Sequence, residues 1–246
     1  MATRYHIGAA TLRGAISAYA KRFDLLEVRV PQADDMRLLP APGTLKRWRK
    51  DVPPHFEFSV VAGPSVARLK PSPALDAELA ATLETARTLR ARCILLKTPS
   101  EVTPAAVWRD RMVKLLDRLP GDATQIVWEP SGLWEDEDAA HRAKKWGVVL
   151  AVDPTRQEMP EGPVAYGRLR QLGEARSFGP SALEKVVKNV GDRREVFLVL
   201  ESDAALEECK RLRQLAQRRK PRVIGGSGKV IRPRAAALRV RDDEQE

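Results

Sequence analysis

Apolar residues in this chain gather into short runs that stop on a single ionisable side chain. The clearest are CILLK (93–97), QIVWE (125–129), VVLAVD (148–153), VAYGR (164–168) and VFLVLE (196–201), ending on Lys97, Glu129, Asp153, Arg168 and Glu201. YHIGAA (5–10), LLEVRV (25–30) and FEFSVVA (56–62) complete a set of eight. A strand that is apolar on both faces belongs in a sheet covered on both sides, with polar groups gathered at one edge. Between the runs lie stretches with helical character: 14–23, 43–52, 71–91, 103–119, 135–146, 181–190 and 203–219. In the longest, Leu75, Leu79, Leu83, Ala86 and Leu89 recur at helical spacing behind Ser72 and Pro73. Thr44 and Thr103 stand where caps are expected, and Pro104 at a first helical position. Segment 154–163 holds three prolines and no helical period, so this crossover is expected to lack its helix.

Strands alternating with helices imply a parallel sheet with crossovers. Eight such units predict an α/β fold, a TIM-type (β/α)8 barrel, with a doubly wound open sheet as the alternative. The 246 residues suit one domain of this kind. We read 1–219 as a single barrel domain and 220–246 as a short, basic, flexible C-terminal tail. In parallel α/β proteins, ligands bind at the C-terminal ends of the strands, where the charged residues named above fall.

Charge changes the picture less than its total suggests. The net charge is +10, but residues 210–246 hold 12 Lys/Arg and 4 Asp/Glu, which leaves the rest of the chain at +2. A basic tail fits nucleic acid or an acidic partner, and equally a solvated helix face with a soluble extension. The near-neutral body argues against nucleic-acid processing in the barrel mouth. GGSGK (225–229) departs from the phosphate-loop pattern at Val223 and Val230 and reads as linker. Two cysteines, Cys93 and Cys209, cannot form a disulfide framework; we read both as reduced and expect a cytoplasmic protein. No apolar stretch approaches the roughly 20 residues of a membrane span, so no membrane partner is expected.

Alternation along the strands predicts which side chains meet. Glu27 and Arg29 share one face of LLEVRV, opposite Leu26, Val28 and Val30, and turn toward the barrel axis. The same logic pairs Val127 with Glu129, Ala151 with Asp153, Tyr166 with Arg168, and Glu201 with Val199 and Phe197. The mouth would then collect Glu27, Glu129, Asp153 and Glu201 against Arg29, Lys97 and Arg168. Such a cluster can bind an anion through its cations or do acid/base work through coupled carboxylates; it can equally be an ion-paired plug, since buried charges survive by pairing. Glu129 and Asp153 are the candidates for proton transfer. Glu27, Arg29, Lys97, Arg168 and Glu201 are candidates for ligand binding, with Glu27 orienting an arginine. Trp134, which with Trp128 brackets EPSGL, is a candidate for stacking on a ligand or for packing. The three histidines, His6, His55 and His141, lack ligand spacing, so neither a metal nor a cofactor is expected.

The order of segments resembles the domain-of-unknown-function 72 family, also called YecE-like, over roughly residues 5–217. The resemblance rests on YAKRFDLLEVRV (19–30), GTLKRWRKDVPPHFEFSVVA (43–62), VWEPSGLW (127–134), VDP (152–154) and AYGRLRQLG (165–173). It implies a TIM-barrel fold and a site on charged positions that here are Glu27, Glu129, Asp153 and Arg168; the family has no established activity. This chain departs at several motif positions. Arg29 replaces an asparagine, Val61 a lysine and Ser131 an arginine, and Glu201-Ser202 stands where asparagines follow the last strand. The resemblance therefore implies a divergent member. Two functions follow as expectations. One is a barrel that binds a small polar or phosphorylated ligand at the strand ends, with acid/base chemistry. The alternative is a catalytically inactive barrel acting as a scaffold, its basic tail contacting nucleic acid or an acidic partner.

Overall fold

The computed structural model describes residues 3–119, 124–171 and 177–219. The basic tail at 220–246, with its GGSGK stretch, lies outside the described residues, as does Gly173. The strands are β1 (Arg4–Ala9), β2 (Leu25–Arg29), β3 (Glu57–Val61), β4 (Cys93–Lys97), β5 (Gln125–Glu129), β6 (Val149–Val152), β7 (Val164–Arg170) and β8 (Glu195–Glu201). The helices are α1 (Ile16–Ala20), α2 (Pro42–Asp51), α3 (Pro64–Ala67), α4 (Pro73–Leu89), α5 (Ala106–Leu116), α6 (Asp136–Trp146), α7 (Pro180–Val190) and α8 (Ala205–Arg219). The strands form a parallel eight-stranded sheet, hydrogen-bonded in the order β1-β8-β7-β6-β5-β4-β3-β2. It curls into a nearly closed TIM-type barrel. Segment 154–163, between β6 and β7, carries no helix.

Period-2 alternation sorts the apolar residues into two layers. Leu25, Val61, Cys93, Leu95, Val127, Ala151, Val164, Tyr166, Phe197 and Val199 fill the barrel interior. Leu26, Val28, Ile94, Leu96, Trp128 and Leu198 face outward and pack under the helices. Cys93 and Cys209 are buried free thiols.

Several element ends differ from the sequence reading. The Ser72 hydroxyl does accept the Leu75 amide at the start of α4. Thr44, however, lies inside α2, which begins at Pro42 behind Ala41 with no side-chain cap. α5 begins at Ala106, behind Ala105, so Thr103 and Pro104 precede it. At α2 the proline does the work of the cap, because its fixed φ is already helical and its missing N–H needs no partner. A 3-10 turn at Ala33–Leu38 and the short α3 had no signal in the periodicity. Both are tied down by Glu78 of α4, a fully buried carboxylate. It accepts the Ala33 amide at 2.9 Å and the Ser65 amide and hydroxyl at 2.6 and 2.8 Å.

The barrel has a seam. β1 and β2 are neighbours in space but are not joined by a ladder. One backbone bond, Asp24 N–H to Ile7 carbonyl at 2.9 Å, links them near the bottom. Above it the Tyr19 hydroxyl, carried by α1, is inserted between the strands. It accepts the Ala9 amide at 2.8 Å and lies 2.8 Å from the Leu25 carbonyl, to which it donates. A side chain thereby replaces the missing ladder and satisfies backbone groups that burial would otherwise strand. Burial pushes the Tyr19 hydroxyl far above the usual tyrosine range, so it stays protonated as this bridge requires. Close approach also needs Gly8, where a β-carbon would overlap the Leu25 carbonyl oxygen.

Candidate functional site

Five charged side chains meet at the C-terminal ends of the strands. Arg168 of β7 stands at the centre with its side chain 2% exposed. Its NH1 donates to Glu27 Oε1 of β2 and its NH2 to Glu201 Oε1 of β8. Its Nε lies 3.2 Å from Glu129 Oε2 of β5. Arg170, two residues on and on the same face, donates from NH2 to Glu129 Oε1 and places Nε 3.2 Å from Glu201 Oε2. Tyr166, one step deeper on that face, donates its hydroxyl to Glu27 Oε1 at 2.7 Å and sits 3.0 Å from the Ser59 hydroxyl. The remaining oxygen, Glu27 Oε2, is buried with no hydrogen-bond partner among the described residues.

Electrostatics follow from this packing. Burial alone would depress Arg168, but Glu27 and Glu129 outweigh it and hold the guanidinium more firmly protonated than usual. Burial alone would raise Glu201, yet Arg168 and Arg170 bring its carboxyl below the usual range. Tyr166 is pushed well above the tyrosine range by burial and by Glu27. Lys97, the last residue of β4, is half-buried and sits in register with Glu129. Burial draws its pKa down.

The structure thus joins Glu27, Glu129, Arg168 and Glu201 from the sequence-derived set, with Lys97 beside them. It treats three others differently. Asp153 is held by its own turn: Oδ1 accepts the Thr155 amide at 2.9 Å and hydroxyl at 2.6 Å, and Oδ2 faces Arg156 Nε at 3.5 Å. An aspartate just past a strand is captured by the backbone two residues on before it can reach across a barrel. Trp134 turns away from the mouth. Its indole N–H donates to the Val102 carbonyl at 2.6 Å, and its ring packs edge-on against Trp128 at 4.8 Å. The stacking expectation for Trp134 is therefore corrected: the ring belongs to the layer between sheet and helices. Arg29 is exposed at the end of β2 and makes no ion pair among the described residues. Sequence reasoning missed Arg170 as a partner of the cluster. The signal was there, since Arg170 follows Arg168 at strand spacing, but the apolar run was ended two residues early.

Arg168 is ion-paired to three glutamates. Of the cations expected at the mouth, Arg29 and Lys97 make no ion pair among the described residues. Beside the network, an open cleft of about 1280 Å³ lies over the seam. Its walls come from the upper ends of β1, β2 and β8 and from α1, and they include Glu27, Arg29, Glu201, Arg13, Tyr19 and Trp48. It exists because β1 and β2 part above the Tyr19 bridge. Among the described residues, no group of three or more His, Cys, Asp or Glu is placed to hold a metal ion.

Comparison with known proteins agrees with this architecture. A family model described as "Protein of unknown function DUF72" matches residues 4–233. No curated protein matches the chain. A DUF72 family protein from Enterococcus faecalis superposes with a TM-score of 0.67 at 13% identity, covering 87% of this chain and 95% of that one. A second, from Thermotoga maritima, gives 0.61 at 14% identity, covering 87% and 99%. A xylose isomerase domain containing protein from Salmonella typhimurium gives 0.55 at 14% identity, covering 87% and 95%. At these identities the structural likeness speaks for the fold alone.

Proposed function

The chain belongs to the DUF72 family, and we propose that it binds a small polar or anionic ligand at the C-terminal end of the strands, in the cleft beside the Arg168 network. The observation that carries this reading is the cleft itself. It is a concave space of about 1280 Å³ at the strand ends, with Arg29 and two network glutamates in its wall. Pockets of this kind at this end of a barrel are where small-molecule sites are built. Arg29 supplies a cation that makes no ion pair among the described residues. Acid/base chemistry is the finer part of the proposal, with Glu129 as its candidate, since Asp153 is held in its own turn. We place the protein in a reducing compartment, the cytoplasm, on its two buried free thiols. No described helix is long and apolar enough to cross a membrane.

A thermal-shift screen against phosphorylated metabolites, sugars and nucleotides tests the reading. A ligand at 100 times its Kd adds about 2.7 kcal/mol to stability. The shift should vanish in Arg29→Ala, whose exposed side chain makes no ion pair or hydrogen bond among the described residues, and weaken in Glu201→Gln. A screen with no shifts, or a shift indifferent to Arg29→Ala, removes the proposal.

One observation favours the second reading, a catalytically inactive scaffold: each network glutamate is ion-paired to an arginine, as in a structural plug. In that case nucleic acid or an acidic partner would bind through the basic tail. Salt-dependent affinity that disappears on deleting 220–246 would support it.

A further inference from the structure

Four of the five tryptophans have evident partners. Trp128, Trp134 and Trp146 pack edge-on against one another, with ring centroids 4.8, 5.0 and 6.2 Å apart. Trp108 carries Lys70 and Arg111 over its ring at 5.9 and 4.8 Å. Trp48 of α2 differs. Its indole makes no aromatic pair, cation–π contact or hydrogen bond among the described residues. It is half-buried, packs against the apolar core and lines the cleft over the seam. The rest of the wall divides by chemistry. Leu26 and Val28 are apolar, and Arg13, Arg22 and Arg29 bring three guanidinium groups. Of the acids in the wall, Glu27 and Glu201 are bound by Arg168. Asp203 stands 3.7 Å from Arg13. Arg22 and Arg29 are exposed and make no ion pair among the described residues.

We propose that the ligand of this cleft is an anion that carries a flat ring, the ring stacking on Trp48 and the anionic group held by Arg29 and Arg22. The proposal rests on the ligand reading above and narrows it, by naming an aromatic or heteroaromatic body beside the charge. Three observations combine. An indole face with no partner is a platform for another ring, and aromatic pairs gain beyond the area they bury. Guanidinium groups with no carboxylate match phosphate or carboxylate oxygens through paired N–H donors. Size is the third. The cleft measures about 1280 Å³, above the roughly 300–1,000 Å³ usual for small-molecule pockets. A phosphate or a small acid alone would leave most of that space unfilled and the apolar side of the wall in contact with water. Nucleoside phosphates and aromatic carboxylates share the required chemistry.

Calorimetry on the full chain tests this with two matched pairs, AMP against ribose 5-phosphate and indole-3-acetate against acetate. In at least one pair the ring-bearing member should bind about tenfold tighter or more, the worth of one stacked ring; which pair responds tells a nucleotide from an aromatic carboxylate. Adenosine, which keeps the ring and lacks the phosphate, should bind more weakly than AMP if the nucleotide pair responds. The ring's advantage should disappear in Trp48→Ala and persist in Trp48→Phe. Quenching of tryptophan fluorescence by the ring-bearing probe should be lost in Trp48→Phe, which locates the ring even where Trp48→Ala does not fold. Equal affinity within both pairs overturns the proposal, and so does a ring advantage indifferent to Trp48→Ala. In either case a thermal shift that Arg29→Ala abolishes leaves the broader ligand reading standing. Absence of binding by AMP and indole-3-acetate alike also overturns the proposal.

Discussion

Removing the Tyr19 hydroxyl should open the barrel at its seam. In Tyr19→Phe the ring keeps its place, stacked on Phe23 at 4.6 Å and edge-on to Phe56 at 6.1 Å, so the change isolates the oxygen. Two backbone groups then lose their partner, the Ala9 amide and the Leu25 carbonyl. Each buried polar group left unpaired costs about 1–3 kcal/mol, so the variant should lose about 2–4 kcal/mol. Urea unfolding gives the loss from the midpoint at unchanged slope. Hydrogen exchange locates it, because the Ala9 amide should exchange much faster while β4 and β5 amides keep pace with global stability. Gly8→Ala attacks the same contact sterically and should be less than additive with Tyr19→Phe, since either change alone parts the strands. A Tyr19→Phe loss under about 0.5 kcal/mol, the range of an ordinary surface substitution, with Ala9 protection intact, would refute the splice.

Three further outcomes follow from the packing. Arg168→Ala strips the guanidinium from Glu27, whose side chain is 0% exposed, and should cost about 3–5 kcal/mol in chemical unfolding; a loss under 1 kcal/mol (about the worth of an exposed pair) would mean the network is not structural. Glu78→Ala should cost about 2–4 kcal/mol and speed exchange of the Ala33 and Ser65 amides, which its carboxylate holds. Acid and base limbs should separate in stability–pH curves. Glu201 is lower in the folded state, so its contribution is present above the ordinary glutamate pKa of about 4.3 and is lost as pH falls through the folded value; Glu201→Gln should flatten that acid limb. Glu57 goes the other way, pushed up to about 7 by burial against Arg92 and Arg49, so stability falls as pH rises to about 7. Glu57→Gln should gain about 1 kcal/mol at pH 8, discounted for partial exposure, and nothing at pH 4; equal gains at both pH values would sink that assignment.

Much of the architecture was legible because it is local. Strand alternation told Glu27 from Leu26 and Arg168 from Leu169 before any contact was known, since successive side chains must take opposite faces. The helixless crossover at 154–163 was readable from its prolines for the same reason. Element starts at Pro42 and Ala106 were not, because two threonines offered competing caps and packing chose between frames that differ weakly in energy. The 3-10 turn at Ala33–Leu38 owes its place to Glu78, 45 residues on from Ala33.

By itself, then, the sequence determined the alternation of strand and helix, the barrel count, and the gathering of charge at one end of the sheet. These follow from periodicities that each segment carries alone. Which charges pair was decided by tertiary structure. Arg168 meets Glu27 across 141 residues, while Asp153, equally well placed on its strand, is captured by Thr155 two residues away. The seam was decided there too. No local pattern announces that Tyr19 will stand in for a ladder, because its partners on β1 and β2 become neighbours only when the sheet curls round on itself.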